Sequence, residues 1–219
     1  FVVGESREFF RYEASPQLTA LIPPSSTWRY HDAGVNQGTV WRELTFDAST
    51  WKQGVAELGY GDADERTIVR CGPNATCALQ NDPTKYFRHE FNVIRPDRVL
   101  DLMLGIQRDD GAVVYLNGVE VYRDTSLLAG ATYDQFANRL AALADPEEDF
   151  FIHVTISPTL LRAGNNVLAV EVHQYAATDL DMSFNAQLIA RYKAIPEPAS
   201  LSIAVAAAAA IGVCRLRRR

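Results

Sequence analysis

The sequence has few of the residues and motifs on which enzyme chemistry most often depends. Among 219 residues there are three cysteines and four histidines, which excludes a disulfide-dense miniprotein. It contains no Gly-x-Ser-x-Gly turn, no His-Glu-x-x-His helix and no phosphate-binding loop,. With 47% apolar and 22% charged residues, the composition also excludes a disordered chain and a collagen-like fibre. We therefore predict a folded protein that is not an enzyme.

The sequence also lacks a basic excess. Its formal net charge of −6 argues against a dedicated nucleic-acid binder, because phosphate contacts need a basic face. The charges are unevenly placed, since no acidic residue follows Glu197 and four of the 21 basic residues lie in the last five positions. The preceding part, 1–198, holds 17 basic and 27 acidic groups, a net charge of −10. The basic residues at the end are Arg215, Arg217, Arg218 and Arg219.

The C-terminal end carries an apolar stretch. The sixteen residues 199–214 have no charge and are rich in Ala, Leu, Ile and Val. As a helix they would be about 24 Å long, somewhat short of a hydrocarbon core of about 30 Å. We predict a marginal transmembrane or sorting helix, with 215–219 as a basic cytoplasmic tail and the body outside. The alternative is an Ala-rich helix packed on the domain, which would be expected to show a polar stripe.

A Pro-Glu-Pro triplet, Pro196, Glu197 and Pro198, stands directly before this stretch. The triplet, the apolar stretch and the terminal arginines together resemble the PEP-CTERM sorting signal of Gram-negative bacteria. The resemblance implies recognition and cleavage by a membrane protease of the exosortase type, which would be this chain's partner at the triplet. It also implies export to the cell envelope, the cell surface or the extracellular space. We expect export to require a leader before Phe1, since residues 1–11 show no signal-peptide pattern.

Two of the cysteines are close in sequence. Cys71 and Cys77 flank a turn-rich segment that contains Gly and Pro, and a small disulfide between them is expected in an oxidising compartment. A spacing of five residues is not typical of zinc ligands, and no second pair would complete a metal site.

Period-two alternation dominates residues 27–192. It predicts strands at 86–93, 99–106, 150–156, 167–173 and 183–190, with weaker candidates near 28–30, 41–46 and 67–70,. The segments 113–116 and 119–122 flank Asn117-Gly118, which predicts a hairpin with a type I′ turn. A single helical turn is predicted at 157–164 and a short helix at 134–144. The pattern is typical of an all-β, antiparallel β-sandwich of jelly-roll type.

These elements give a predicted division of the chain. Residues 1–24 are assigned to a leader or linker, 25–192 to the β-sandwich module, and 193–198 to a linker with the Pro-Glu-Pro motif. The sorting helix and basic tail described above complete the chain.

Several short segments occur in an order that resembles the galactose-binding-like β-sandwich module of bacterial extracellular proteins. The likeness implies the fold more firmly than the function, because this fold serves sugar binding, protein binding and structural roles. The segments are Trp28-Arg29-Tyr30, Trp51-Lys52-Gln53-Gly54, Leu58-Gly59-Tyr60-Gly61-Asp62, Tyr86-Phe87-Arg88, Asp109-Asp110-Gly111 with 112–118, and 166–174.

Asp109 and Asp110 form the most informative group of carboxylates. Two adjacent acids at a strand end, followed by Gly111, could coordinate a structural calcium ion with help from other loop acids. The alternative is a β-turn in which Asp accepts backbone hydrogen bonds and Gly supplies a positive φ. The loop acids considered as helpers are Asp62, Asp64, Asp179 and Asp181.

Aromatic residues are the remaining candidates for binding, because sugar rings stack on exposed indole and phenol faces. Each could instead fill the core, and Tyr60, between two glycines and beside Asp62, is expected to be the most exposed. Glu171 and His173 share a strand face and could form an acid–base pair, although a structural polar pair is favoured. The candidate ligand-binding residues are Trp28, Tyr30, Trp51, Tyr60 and Asp62.

Three functional hypotheses follow. The first is an exported, non-catalytic module that binds a polysaccharide or a matrix protein, with a possible structural calcium. The second is a purely structural or self-associating matrix or adhesion protein. The third is an accessory module of a larger extracellular hydrolase.

Overall fold

The computed structural model describes residues 15–73, 80–138 and 150–194. Its contacts divide the chain into two units. Pro16–Lys193 form one compact unit, and the other consists of Phe1–Ser15 and Ala194–Arg219, of which only Ser15 and Ala194 are described. The predicted C-terminal helix and the Pro-Glu-Pro triplet lie outside the described residues.

The described residues are almost entirely strands and connections. Twelve strands occur in these ranges: β1 (Gln17–Ile22), β2 (Thr27–His31), β3 (Lys52–Val55), β4 (Leu58–Gly59), β5 (Thr67–Ile68), β6 (Thr84–Val93), β7 (Val99–Asp109), β8 (Gly111–Leu116), β9 (Val119–Arg123), β10 (Ile152–Ile156), β11 (Gly164–His173) and β12 (Ser183–Tyr192). Three single 3-10 turns lie between them, at Val40–Arg42, Pro96–Arg98 and Pro158–Leu160. Among the described helical turns, none is long and apolar enough to cross a membrane.

Two antiparallel sheets face each other, as the sequence pattern predicts. One sheet has four strands in the order β1-β12-β7-β10, and the other has six in the order β3-β2-β6-β11-β8-β9. The small pair β4-β5 is parallel. The inward residues of both sheets form one apolar core, since alternate side chains of a strand point to the same face. The predicted inward face of Leu100, Leu102, Leu104 and Ile106 is confirmed from Leu102 onward, since those three residues are fully buried, whereas Leu100 is 36% exposed.

The outer face of the six-stranded sheet is also covered. The segment 32–51, with its 3-10 turn, and the segment 124–138 pack against it through a second apolar cluster that contains Trp41, Tyr86 and Tyr115. Strand β6 is therefore buried on both sides for half its length, whereas its alternation suggests a half-buried strand. Alternation with Phe87 predicts that Tyr86 and Arg88 face solvent, but they are only 2% and 1% exposed.

Turn chemistry explains two connections. Asn117 and Gly118 have φ values of 53° and 86°, so both adopt the left-handed conformation that a type I′ hairpin requires. Ser157 caps the 3-10 turn that Pro158 begins, because its hydroxyl accepts a hydrogen bond from the Thr159 amide,. The hairpin prediction is confirmed, and the helical turn predicted at 157–164 is present but ends at Leu160, while Gly164 already begins β11.

Three sequence predictions are wrong in their details. Residues 17–22 are not part of a leader, because β1 pairs with β12 at an edge of the four-stranded sheet. The candidate strand at 41–46 is a 3-10 turn and an irregular segment, since Trp41 is needed on the outer face of the six-stranded sheet. The described part of the predicted helix 134–144 contains no helix, and 139–144 lie outside the described residues.

Candidate functional site

The strand pairing brings distant acidic residues together at one end of the sandwich. His173, the last residue of β11, pairs with Gly111, and Ser183, the first residue of β12, pairs with Asp109. The connection 174–182 therefore begins and ends opposite the junction of β7 and β8. Asp179 and Asp181 on this connection join Asp109 and Asp110 on the junction. We call these four residues the acidic cluster.

The carboxylates of the acidic cluster are close and poorly exposed. Asp110 and Asp179 are 7% and 5% exposed, and one carboxylate oxygen each from Asp109, Asp179 and Asp181 lies within 4.8 Å of the others. The amide of Tyr175 donates to Asp110 Oδ2 at 2.7 Å. Burial, reinforced by the negative charge of Asp109, raises the pKa of both Asp110 and Asp179 far above the ordinary range,.

The β-turn alternative for Asp109 and Asp110 does not match the structure. Gly111 is not among the residues with positive φ, and it begins β8 instead of closing a turn. Its tight surroundings explain the glycine, because an added Cβ would lie 2.6 Å from the Ser126 hydroxyl. Of the predicted helper acids, Asp179 and Asp181 lie in the acidic cluster. Asp62 and Asp64 form a separate exposed group with Glu65.

The aromatic residues proposed for sugar stacking are buried. Trp28, Tyr30, Trp51 and Tyr60 are 0%, 7%, 7% and 4% exposed, so the predicted stacking faces are not available at the surface. Trp28 packs edge-on against Phe184 between the sheets, and Trp51 lies in the outer cluster with Trp41. These rings belong to the core, which was the alternative for each of them.

The expectation that Tyr60 is exposed is wrong for a specific reason. Its flanking glycines permit close packing of the backbone, because a Cβ on Gly59 would lie 1.9 Å from the Met182 carbonyl oxygen. Tyr60 exchanges backbone hydrogen bonds with Met182, and its hydroxyl accepts from Gln174 Nε2 at 2.7 Å. The Tyr60 ring thus packs beside the acidic cluster. Burial raises the pKa of the Tyr60 hydroxyl, and the negative charges of the cluster raise it further.

Glu171 and His173 share the outer face of β11, as predicted, but each serves the packing of a covering segment. Tyr115 donates to Glu171 Oε1 at 2.8 Å, and Arg42 lies 3.6 Å from the same oxygen. His173 Nδ1 lies 2.8 Å from the Gln135 carbonyl oxygen. Burial lowers the pKa of His173. These contacts fit a structural role.

A trough of about 410 Å³ lies on the outer face of the six-stranded sheet, at the edge formed by β2 and β3. Its volume is within the range of about 300–1000 Å³ that is usual for small-molecule sites. No local sequence pattern predicts this trough, because residues from three strands and one loop line it. The lining residues are 27–29 of β2, 46–49 of the covering segment, Gln53 of β3 and 88–90 of β6.

Two arginines fix the loop that forms one wall of the trough. Arg88 Nη1 donates to the carbonyl oxygens of Trp41 and Glu43, each at 2.7 Å. Arg29 Nη1 donates to the Ala48 carbonyl oxygen at 3.2 Å and, with the Gln53 amide suitably oriented, to Gln53 at 3.1 Å. The loop is thereby held at a set distance from the sheet.

The trough is balanced in charge. The two arginines face the carboxylates of Asp47 and Glu90, and Glu90 lies 3.2 Å from Arg88. Burial lowers the pKa of His89, which favours its neutral form at pH 7. Phe46 is half-buried and is one of three aromatic residues that line the trough, with Trp28 and His89. The arrangement offers several hydrogen-bonding groups and aromatic rings to a ligand without net charge.

Cys71 is disulfide-bonded. Its predicted partner, Cys77, lies outside the described residues. The strand pattern predicts an inward-facing His153, but the structure places it exposed on the outer face of the four-stranded sheet, with Nε2 3.4 Å from Gln187 Nε2.

Comparison with known proteins gives no family. No family model and no curated protein matches the chain. Among solved structures, a β-glucuronidase of Bacteroides uniformis is 14% identical with a TM-score of 0.48, over 80% of this chain and 18% of that one. A β-glucuronidase from an uncultured Clostridium sp. is 13% identical, with a TM-score of 0.45, over 88% of this chain and 31% of that one.

A third similar structure is the β-glucuronidase from Ruminococcus gnavus in complex with D-glucuronic acid. It is 13% identical, with a TM-score of 0.46 over 81% of this chain and 30% of that one. The chain thus spans less than a third of the length of each of these three proteins. A likeness of this degree concerns backbone shape and does not extend to what this chain binds.

Proposed function

We propose that this chain is a non-catalytic β-sandwich module that binds an uncharged saccharide in the trough. The observation that supports the proposal is the balance of charge and hydrogen-bonding groups in a cavity of about 410 Å³. Sugars without ionised groups present many hydroxyls that both donate and accept, and they pair well with amide, carboxylate and guanidinium groups. The half-buried ring of Phe46 supplies an apolar face for the sugar ring.

A catalytic role has less support. Glu171 and His173 are 3% and 0% exposed, and Glu171 Oε1 and His173 Nδ1 contact groups that hold the covering segments. In the trough, Glu90 and Asp47 are likewise engaged, with Arg88 and with the Ser49 amide. A general acid or base needs a group that can reach a substrate proton.

The saccharide proposal predicts distinct effects of two trough substitutions. Phe46→Ala and Glu90→Gln should each weaken saccharide binding about tenfold. Phe46→Ala removes a ring contact and Glu90→Gln a charge-assisted hydrogen bond, each worth about 1.4 kcal/mol. Titration calorimetry with a neutral oligosaccharide selected on a glycan array measures the effect.

Glu120→Gln is the matched control for this experiment. Glu120 also pairs with an arginine, Arg123, but lies on β9 at the opposite edge of the same sheet. It should leave binding unchanged. A wild-type chain that binds no saccharide on the array would refute the proposal, and assembly that rises with protein concentration would then favour the structural hypothesis.

The localisation proposal rests on the sequence alone. We propose that the chain is exported and sorted through the segment 196–219, whose Pro-Glu-Pro triplet, apolar stretch and arginines resemble an exosortase substrate. Mass spectrometry of the native mature protein should find a C-terminus at or near Pro198. A mature protein that retains Arg219 would contradict cleavage.

A further inference from the structure

Strand β10 differs from the other edge strands of the two antiparallel sheets. A sheet edge presents backbone N–H and C=O groups without a neighbouring strand, and proteins protect such edges with charges, prolines or bulges. Among the described residues, the edge strands β1, β3 and β9 each carry such a device, whereas β10 contains no Pro, Lys, Arg, Asp or Glu and pairs with β7 in continuous register. The devices are Lys52 in β3, Glu120 and Arg123 with a register shift in β9, and a register shift in β1 before Pro23 and Pro24.

The apolar core is open along this same edge. Val154 pairs with Leu104 of β7 and Ile152 pairs with Ile106, so these side chains share the inner face of the sheet. Leu104 and Ile106 are fully buried, whereas Ile152 and Val154 are only partly buried against the core. Phe150, two residues before the strand, is 68% exposed. An unprotected backbone edge and incompletely covered apolar side chains therefore coincide at β10.

The sequence that leads into β10 is a poor partner for it. Residues 145–149 read Asp-Pro-Glu-Glu-Asp. Proline cannot donate to a strand ladder, and acidic residues are depleted in strands. A strand that fits this edge has to be apolar on its inner face and free of fixed charge, as β10 itself is.

We propose that two copies of this chain associate through β10, in antiparallel order about a twofold axis at Val154. In this register all five residues of the strand pair, because Ile152 lies opposite Ile156 of the second copy, His153 opposite Thr155, and Val154 opposite itself. The inner face of the pair then contains only Ile and Val, and no fixed charges of like sign face each other. The twofold axis closes the assembly at two copies, whose four-stranded sheets become one sheet of eight strands.

The contact is small, so the association is weak and reversible. Standard interfaces bury about 800 Å² per partner, and one strand of five residues with the neighbouring Phe150 supplies less than that. The two copies should therefore separate on dilution. The trough lies on the outer face of the other sheet, so the pairing needs no saccharide, and the two proposals can fail independently.

Analytical ultracentrifugation of the full chain, without saccharide, tests this pairing. The wild-type chain should shift from monomer to dimer as its concentration rises from micromolar to millimolar. Val154→Lys should stay monomeric over this range, because the two new charges would lie directly opposite each other. Thr155 is exposed on the outer face, so Thr155→Lys should fold even where Val154→Lys does not. It should weaken the association about tenfold, because it adds a charge to the edge of each copy.

Thr19→Lys is the matched control, because it places the same charge on β1, at the opposite edge of the same sheet. It should leave the association unchanged. Cross-linking locates the contact directly, because facing residues of an antiparallel pair lie within reach of a disulfide. In a Cys214→Ser background, Val154→Cys should form a disulfide-linked dimer under mild oxidation, whereas Thr19→Cys should not.

Three results would overturn the proposal. A wild-type chain that stays monomeric at millimolar concentration would indicate that another part of the chain covers β10. Association that survives both Val154→Lys and Thr155→Lys would place the contact elsewhere, for example in the apolar stretch 199–214. Equal loss of association in Thr19→Lys and Thr155→Lys would show an effect of added charge that is not specific to β10.

Discussion

Asp124→Ala should lower the free energy of unfolding by about 3–5 kcal/mol. Asp124 and Arg108 form a buried ion pair whose side chains are 1% and 2% exposed. Arg108 Nε donates to Asp124 Oδ2 at 2.8 Å and Nη2 to Oδ1 at 2.7 Å. The Ala112 amide and the Tyr122 hydroxyl donate to the same carboxylate. Removal of the carboxylate leaves a buried guanidinium without its counter-charge, which costs more than the pair itself contributes.

Urea unfolding measures this loss, and a surface pair supplies the control. Arg95 and Asp97 form a bidentate pair with side chains 62% and 60% exposed, so Asp97→Ala should cost less than about 1 kcal/mol. The double change of Arg108→Met with Asp124→Leu should recover part of the loss, because neither charge is then buried alone. Equal effects of Asp124→Ala and Asp97→Ala would contradict this account.

The position of the pair explains why it matters for the site. Arg108 lies on β7 of the four-stranded sheet, whereas Asp124 directly follows β9 of the six-stranded sheet. The pair therefore links the two sheets next to the junction that carries Asp109 and Asp110.

The strand pattern could be predicted because it depends on local alternation. Strands β6, β7 and β11 place apolar residues mainly at alternate positions, and the burial of Phe87, Leu104 and Val170 follows from that spacing,. The burial of Arg88 could not be predicted in this way. It depends on the segment 32–51 folding back onto the sheet, and the alternation of β6 contains no information about that segment.

The candidate sites show the same limit. Asp109 and Asp110 could be recognised as a possible cation site from their adjacency at a strand end. Asp179 and Asp181, about seventy residues further along the chain, were two of four candidate partners, and only the pairing of β12 with β7 selects them over Asp62 and Asp64. For Tyr60, the neighbouring glycines were interpreted as a sign of an exposed loop, whereas they allow the backbone to approach Met182,.

Trp41→Ala should lower the free energy of unfolding by about 3–5 kcal/mol, as is usual for a large buried ring. Trp41 is fully buried and lies edge-on to Tyr86 and Tyr115, with ring centroids 4.9 and 5.9 Å away. Its indole N–H donates to the Gly38 carbonyl oxygen at 3.1 Å. The ring is thus the main apolar anchor of the segment that covers the outer face.

The same substitution should also remove saccharide binding, because the wall of the trough at 46–49 continues from this anchor. The Trp41 carbonyl oxygen accepts from Arg88, so loss of the ring frees the loop that Arg88 holds.

Val40→Ala is the matched control in the same 3-10 turn, since Val40 is 62% exposed, and it should change stability by less than about 0.5 kcal/mol. Urea unfolding measures the loss of stability, and calorimetry measures the loss of saccharide binding. Limited proteolysis within 33–51 measures how far the covering segment is released. A Trp41→Ala chain that stays folded, resists proteolysis there and binds saccharide with unchanged Kd would show that the covering segment does not depend on this ring.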